Sequence, residues 1–81
     1  MVILKKIEKK GNGVYSCYFS NDINLEDFNY FEYDVENDEI IEIPEDRKKR
    51  CCYEIIMDIF EMFENGEMKI PENGELTFSW Y

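Results

Sequence analysis

The sequence predicts an α+β domain in which a small antiparallel sheet of four to five strands carries one long helix on one face, in the order β-β-β-β-α-β. Apolar residues recur at helical spacing in one long segment only, residues 44–66. Short runs of alternating apolar and polar residues occupy most of the remaining chain, and Gly-, Asn- and Asp-rich turns separate them. The 81 residues contain no repeat, linker or low-complexity segment, so residues 1–81 are predicted to form a single domain.

The first two strands, residues 2–8 and 14–20, are predicted to form a hairpin. A Gly-Asn-Gly turn lies between them, and these residue types accept the positive φ angles of a tight turn. The lysines of the first strand suit a sheet edge, and we expect Ile3 and Ile7 to share one face of that strand. The second strand alternates between two faces, one of which holds Tyr15, Cys17 and Phe19.

A second hairpin is predicted to follow. Residues 28–35 form its first strand and residues 40–43 its short second strand, joined by a polar turn at residues 36–39. The two faces of the longer strand hold different residues: Phe31, Tyr33 and Val35 on one side, and Phe28 and Tyr30 on the other.

The helix is predicted over residues 44–66. Pro44 suits the first turn, where its missing N–H costs nothing, and Asn65 and Gly66 suit the end of the helix. One side of the helix is apolar and consists of Cys52, Ile55, Ile56, Ile59, Phe60 and Phe63. Because such a stripe must be buried, we expect it to cover the sheet.

The last strand is predicted at residues 75–81, after a Pro-Glu-Asn-Gly turn. Leu76, Phe78 and Trp80 alternate with polar residues and Tyr81, so they lie on one face. We expect that face to pack beneath the helix.

Composition excludes several classes of function. Nineteen acidic and nine basic residues give a net charge of −10, and a field of that sign disfavours direct nucleic-acid binding. No apolar stretch approaches the ~20 residues that a membrane-spanning helix needs, so no membrane association is expected. Three cysteines, two of them adjacent, indicate reduced thiols and a cytoplasmic protein. The richness in Lys, Ile and Asn suggests an AT-rich bacterial or phage genome.

The sequence contains no histidine, which removes the commonest general base and metal ligand. Glycine-rich phosphate-binding motifs and paired-cysteine metal motifs are also absent. We therefore predict no enzyme activity, no catalytic residue and no cofactor. A thiol-based redox sensor stays open as a second alternative, because four cations at residues 47–50 precede Cys51 and Cys52 and could lower a thiol pKa.

Residues 22–46 hold eleven acidic and no basic residues. Asp34, Glu36, Asp38 and Glu45 have the spacing of a calcium-binding loop. The sixth position of that loop holds glutamate, however, where the sharp turn needs glycine. We therefore expect a solvated turn rather than a calcium site.

The predicted function is that of a small, non-enzymatic, acidic protein-interaction module, which binds a protein partner or associates with itself. The candidate interaction surface comprises Tyr30, Glu32, Asp34, Glu36, Asp38, Glu39 and Glu42. Tyr18, Phe28 and Tyr30 are expected to form a second, exposed sheet face, because aromatic residues are enriched at interfaces. The alternative is a DNA-mimic or immunity-type inhibitor, in which the carboxylates occupy the basic site of a nucleic-acid-binding protein.

Overall fold

The computed structural model describes residues 2–20, 28–43 and 50–78, with the side chains of residues 50–52 left out. The predicted α+β fold and element order are confirmed. The elements are β1 (Val2–Gly11), β2 (Val14–Ser20), β3 (Asn29–Asp34), β4 (Glu39–Glu42), α1 (Arg50–Glu64) and β5 (Leu76–Phe78).

The five strands form one antiparallel sheet in the order β4-β3-β2-β1-β5, so β2 is the central strand. The prediction that β1 forms an edge is wrong, because β1 lies between β2 and β5. Among the described residues, the pairing with β5 covers Val2 to Leu4. Beyond it, the Ile7 amide donates to the Gly74 carbonyl oxygen at 3.1 Å. The lysine-rich half of β1 therefore faces the turn before β5 rather than a further strand.

A β-bulge in β1 changes which side chains face the helix. The pairing with β2 advances three residues in β1, from Lys5 to Glu8, but only two in β2, and Lys6 has a positive φ of 52°. One extra residue reverses the alternation of the strand. Ile7 is consequently buried with Val2 and Leu4. The prediction that Ile7 shares a face with Ile3 is wrong for this reason.

The face of the sheet covered by α1 holds the core, and aromatic rings dominate it. Phe31 lies at the centre of this ring cluster: its centroid is 5.3 Å from that of Tyr53 and 6.1 Å from that of Phe60. Phe19 meets Tyr53 edge-on at 5.6 Å, and Tyr15 stacks on Phe60 at the same distance. Such ring pairs add to the free energy gained from burying apolar area.

The helix begins at Arg50 in the described part of the chain, so the predicted start at Pro44 lies outside the described residues. Its predicted end at Asn65 and Gly66 is confirmed. Gly66 has a φ of 77°, and its amide bonds the Phe63 carbonyl while the Glu67 amide bonds the Met62 carbonyl. This pair of bonds is the Schellman motif, which satisfies the last free carbonyls of a helix.

The helix buries a row of residues that begins at Tyr53 and continues through Ile56, Ile59, Phe60 and Phe63. Ile55, predicted for this stripe, is half-buried, and the side chain of Cys52 lies outside the described residues. At the far edge of the sheet, Leu76 and Phe78 pack against the core as predicted. Trp80 and Tyr81 also lie outside the described residues.

Candidate interaction surface

The turn between β3 and β4 is built from two of the predicted site residues. The Asp34 carboxylate accepts bonds from the Asn37 amide nitrogen at 3.1 Å and from Asn37 Nδ2 at 2.7 Å. The side-chain bond from Asn37, followed by the backbone bond, holds the pKa of Asp34 below its ordinary value. Asp38 has a left-handed φ of 52° and accepts a bond from the Tyr33 hydroxyl. Both carboxylates therefore shape the hairpin.

Tyr30 and Glu32 form a second group, on the face of β3 that α1 does not cover. The Tyr30 hydroxyl donates to Glu32 Oε1 at 2.5 Å, and Lys10 Nζ lies 3.8 Å from the same oxygen. The Lys10 ammonium is also 5.4 Å from the centre of the Tyr30 ring. The hydrogen bond with Tyr30 is the main cause that raises the pKa of Lys10. Lys10 therefore links β1 to β3 across the central strand.

The remaining predicted residues are exposed carboxylates. In the pairing of β3 with β4, Glu42 lies opposite Glu32, and Glu39 lies opposite Asp34. Two cross-strand pairs thus bring like charges together, which is unfavourable unless a cation approaches them. Glu36 is separate from both pairs and lines a groove at the end of α1.

Three isoleucines for which no role was predicted are exposed in the structure. Ile40, Ile41 and Ile43 are 41%, 49% and 45% exposed, at the β4 edge of the sheet. Single exposed apolar residues are ordinary, but a contiguous group at a sheet edge is typical of a contact site. The only sequence signal was the Ile-Ile pair, which breaks the alternation of a half-buried strand.

The sheet face opposite the helix, here called the open face, combines aromatic rings with lysines. The rings of Tyr18 and Tyr30 meet edge-on with centroids 5.2 Å apart, and Tyr18 is 40% exposed. The Lys5 ammonium lies 4.8 Å from the centre of the Phe28 ring, and that of Lys6 lies 5.7 Å from the Tyr18 ring. The predicted arrangement of Tyr18, Phe28 and Tyr30 on a second face is thus present.

A polar groove of about 510 Å³ lies where the β1–β2 turn, the β3–β4 turn and the end of α1 meet. Glu36, Glu61, Glu64 and Lys9 are among its lining residues. Among the described residues, no group of three metal-ligating side chains is arranged to hold an ion. Glu45, the last position of the predicted calcium-loop spacing, lies outside the described residues.

Of the three cysteine thiols, one is buried in the structure, and the other two belong to side chains outside the described residues. Cys17 is fully buried on the helix-covered face, and loss of solvation raises the pKa of its thiol to about 12. A neutral, buried thiol is a poor nucleophile. The adjacent Cys51 and Cys52, on which the redox hypothesis rests, belong to α1, but their side chains are not described.

Comparison of the chain with protein-family models, with curated proteins and with solved structures gives no match. Within residues 2–20, 28–43 and 50–78, no helix combines the length and apolarity that a bilayer crossing requires.

Proposed function

We propose that the chain is a small, non-enzymatic protein-interaction module, and that its binding surface is the acidic edge, defined as Glu39, Ile40, Ile41, Glu42 and Ile43. One observation carries this proposal: Ile40 and Ile41, between the exposed glutamates of the edge strand, and Ile43, directly after it, are each more than two-fifths exposed. Apolar contact area surrounded by charge of one sign is the usual composition of a selective interface.

The charge of the acidic edge indicates the chemistry of its partner. The segment between Asn37 and Ile43 contains three acidic and no basic residues. Edge-to-edge pairing of two copies would place glutamate near glutamate, which opposes self-association at this edge. A partner strand that carries apolar and basic side chains would instead pair with β4, cover the isoleucines and neutralise the Glu32–Glu42 pair.

A second candidate function is inhibition of a basic nucleic-acid-binding protein by imitation of nucleic acid. The observation that favours it is that acidic residues lie opposite each other at two positions in the pairing of β3 with β4. It is weaker because Asp34 and Asp38 are engaged within their own hairpin. A cytoplasmic location in a bacterial or phage-infected cell, and no direct binding to nucleic acid, belong to the same proposal and rest on composition.

The test is affinity capture from lysate of the source cell with three forms of the chain. The edge variant carries Glu39→Gln, Ile41→Ser and Glu42→Gln. The control carries Glu54→Gln and Asp58→Asn, which remove the same charge from the exposed side of α1. We expect the wild type and the control to retain the same protein, and the edge variant to bind it at least tenfold more weakly.

Salt separates the two candidate functions. A partner that stays bound to the wild type at high salt supports the apolar edge, whereas a basic partner released at high salt supports nucleic-acid imitation. Equal retention by the wild type and the edge variant would contradict both.

A further inference from the structure

The two sides of β4 differ in chemistry, and the side that belongs to the open face is acidic. In the pairing of β3 with β4, Glu39 lies opposite Asp34. Glu42 lies opposite Glu32 in the same pairing. Residues two apart in a strand, and residues directly opposite each other, share a face, so all of these carboxylates belong to the open face. Within the described residues, one ion pair reaches this group: Lys10 Nζ lies 3.8 Å from Glu32 Oε1. Negative charge is therefore in excess on this side.

The other side of β4 is apolar. Ile40 lies opposite Tyr33, whose ring is buried on the helix-covered face. Ile40 therefore lies on the helix side of the sheet, and it is 41% exposed because it is at the sheet edge. Ile41 is an extra residue in β4 relative to β3, which makes a β-bulge. This extra residue is the reason that Glu39 and Glu42, three positions apart, share one side.

The outer edge of β4 is also unpaired. Within residues 2–20, 28–43 and 50–78, the strand order ends at β4. The outward N–H and C=O groups of an edge strand are free to pair with a further strand, and proteins block such pairing with charges and bulges. A block made of glutamates acts against an acidic strand, including a second copy of β4, but attracts a basic one. The edge is therefore selective rather than closed.

We propose that the partner presents to the acidic edge an extended strand in which basic and apolar residues alternate. This inference rests on the proposed function and specifies the partner by its residue pattern. Paired with β4, such a strand directs its basic side chains to the open face, near Glu39 and Glu42, and its apolar side chains to the helix side, near Ile40. Main-chain hydrogen bonds supply affinity, and the alternation supplies specificity.

A basic amphipathic helix is the other class of ligand that carries charge on one side and apolar residues on the other. The unpaired edge favours the strand, because a helix satisfies its own backbone hydrogen bonds and leaves those of β4 unused. The four residues of β4 are also only about 13 Å long, which matches a short strand.

Three synthetic peptides of equal length test the pattern, each built from four lysines and three valines. The first alternates the two residues, the second places all lysines before all valines, and the third alternates them on a fully N-methylated backbone. Fluorescence anisotropy with labelled peptides measures their binding to the wild-type chain at one salt concentration. We expect the alternating peptide to bind at least tenfold more tightly than either of the others, because it alone combines the alternation with backbone donors.

Two variants of the chain place the peptide on the edge. The variant Glu39→Gln and Glu42→Gln should bind the alternating peptide at least tenfold more weakly than the wild type. The control variant Glu54→Gln and Asp58→Asn loses the same charge from the exposed side of α1 and should bind it as the wild type does. Circular dichroism checks that both variants are folded.

Failure of this inference differs from failure of the proposed function. Equal binding of the alternating peptide and the block peptide, no effect of N-methylation, or no binding up to millimolar concentration would overturn the alternating strand. Equal binding to the wild type and to the Glu39→Gln and Glu42→Gln variant would overturn it as well. The proposed function fails separately, when the protein captured from lysate binds the edge variant as tightly as the wild type.

Discussion

The two faces of the sheet use the same residue types in opposite ways. On the helix-covered face, aromatic rings contact each other and are shielded from water, as Phe31 is between Tyr53 and Phe60. On the open face, rings of the same kind contact lysine ammonium groups and remain partly exposed, as Tyr18 does beneath Lys6. The first arrangement stabilises the fold, whereas the second presents a chemical surface to solvent.

This difference explains why so many aromatic residues occur in so small a domain. Six phenylalanines, six tyrosines and one tryptophan exceed the number that one buried face requires. A short chain buries a smaller fraction of its surface than a long one, so large rings help to fill its core. The remaining rings are available for contact with another molecule.

Removal of the central core ring should have the largest effect. Phe31→Ala is expected to lower the free energy of unfolding by about 3–5 kcal/mol, because a fully buried ring leaves a cavity that its neighbours cannot fill. Urea denaturation followed by circular dichroism measures this change. Tyr18→Ala is the matched control on the open face and should cost less than about 1.5 kcal/mol. Equal losses of unfolding free energy in the two variants would contradict the distinction between the two faces.

Alkaline pH should destabilise the fold through titratable groups that are buried on the helix-covered face. Burial raises the pKa of Cys17 from 9.0 to about 12, and the pKa values of Tyr15 and Tyr33 from 10.0 to about 12. Between the ordinary pKa values of these groups and the raised values, the folded chain keeps protons that the unfolded chain has released. The free energy of unfolding therefore decreases as pH rises from about 9 to 12.

The urea midpoint should therefore decrease steadily over that range. Absorbance at 295 nm reports tyrosine ionisation in the same samples. The double variant Tyr15→Phe and Tyr33→Phe should show a smaller decrease, because Cys17 alone of these three groups then contributes. A midpoint that is constant up to pH 11 would contradict the burial of these groups.

The turn that joins β1 to β2 should tolerate no side chain at its second glycine. Gly13 has a φ of 75°, and a Cβ there would lie 2.8 Å from Glu36 Cβ and 3.2 Å from the Glu36 backbone nitrogen. Gly13→Ala is expected to cost about 1–3 kcal/mol in thermal or urea denaturation. Gly11→Ala is the matched control: a Cβ at that position would have no neighbour within 4 Å, and the change should be nearly neutral.

The bulge in β1 allows a smaller and more unusual test. Deletion of Lys6 would remove the extra residue and leave Ile7 opposite Cys17, still on the helix-covered face. We expect the shortened chain to fold, with a change in stability of about 1 kcal/mol or less. Deletion of Ser16 from the regular part of β2 would reverse the alternation and should prevent folding. Circular dichroism and thermal melting distinguish the outcomes.

Most of the fold could be predicted from the sequence, because alternation and helical periodicity are local properties. The bounds of β2 and the end of α1 at Gly66 are correct for this reason. The facing of Ile7 could not be predicted, since a bulge at a lysine leaves no mark in the residue pattern. The position of β1 in the sheet depends on where residues 76–78 pair, which is a long-range property.

The candidate site was predictable in composition but not in arrangement. The acidic tract was visible as a run of carboxylates, yet only the folded hairpin separates Asp34, which orders the turn through Asn37, from Glu39 and Glu42, which face solvent. The exposure of Ile41 depends on β4 being the edge strand, and no local pattern encodes strand order. The lysine–ring contacts depend on the register between strands, which no local pattern encodes either.

If the two faces differ as described, the rings of the open face are accessible to solvent, whereas those of the helix-covered face are not. Line broadening by a soluble paramagnetic probe in two-dimensional NMR distinguishes these two situations residue by residue. We predict strong broadening of the ring signals of Tyr18 and little broadening at Phe31 and Phe60. Equal broadening of the two sets of rings would contradict this difference between the faces.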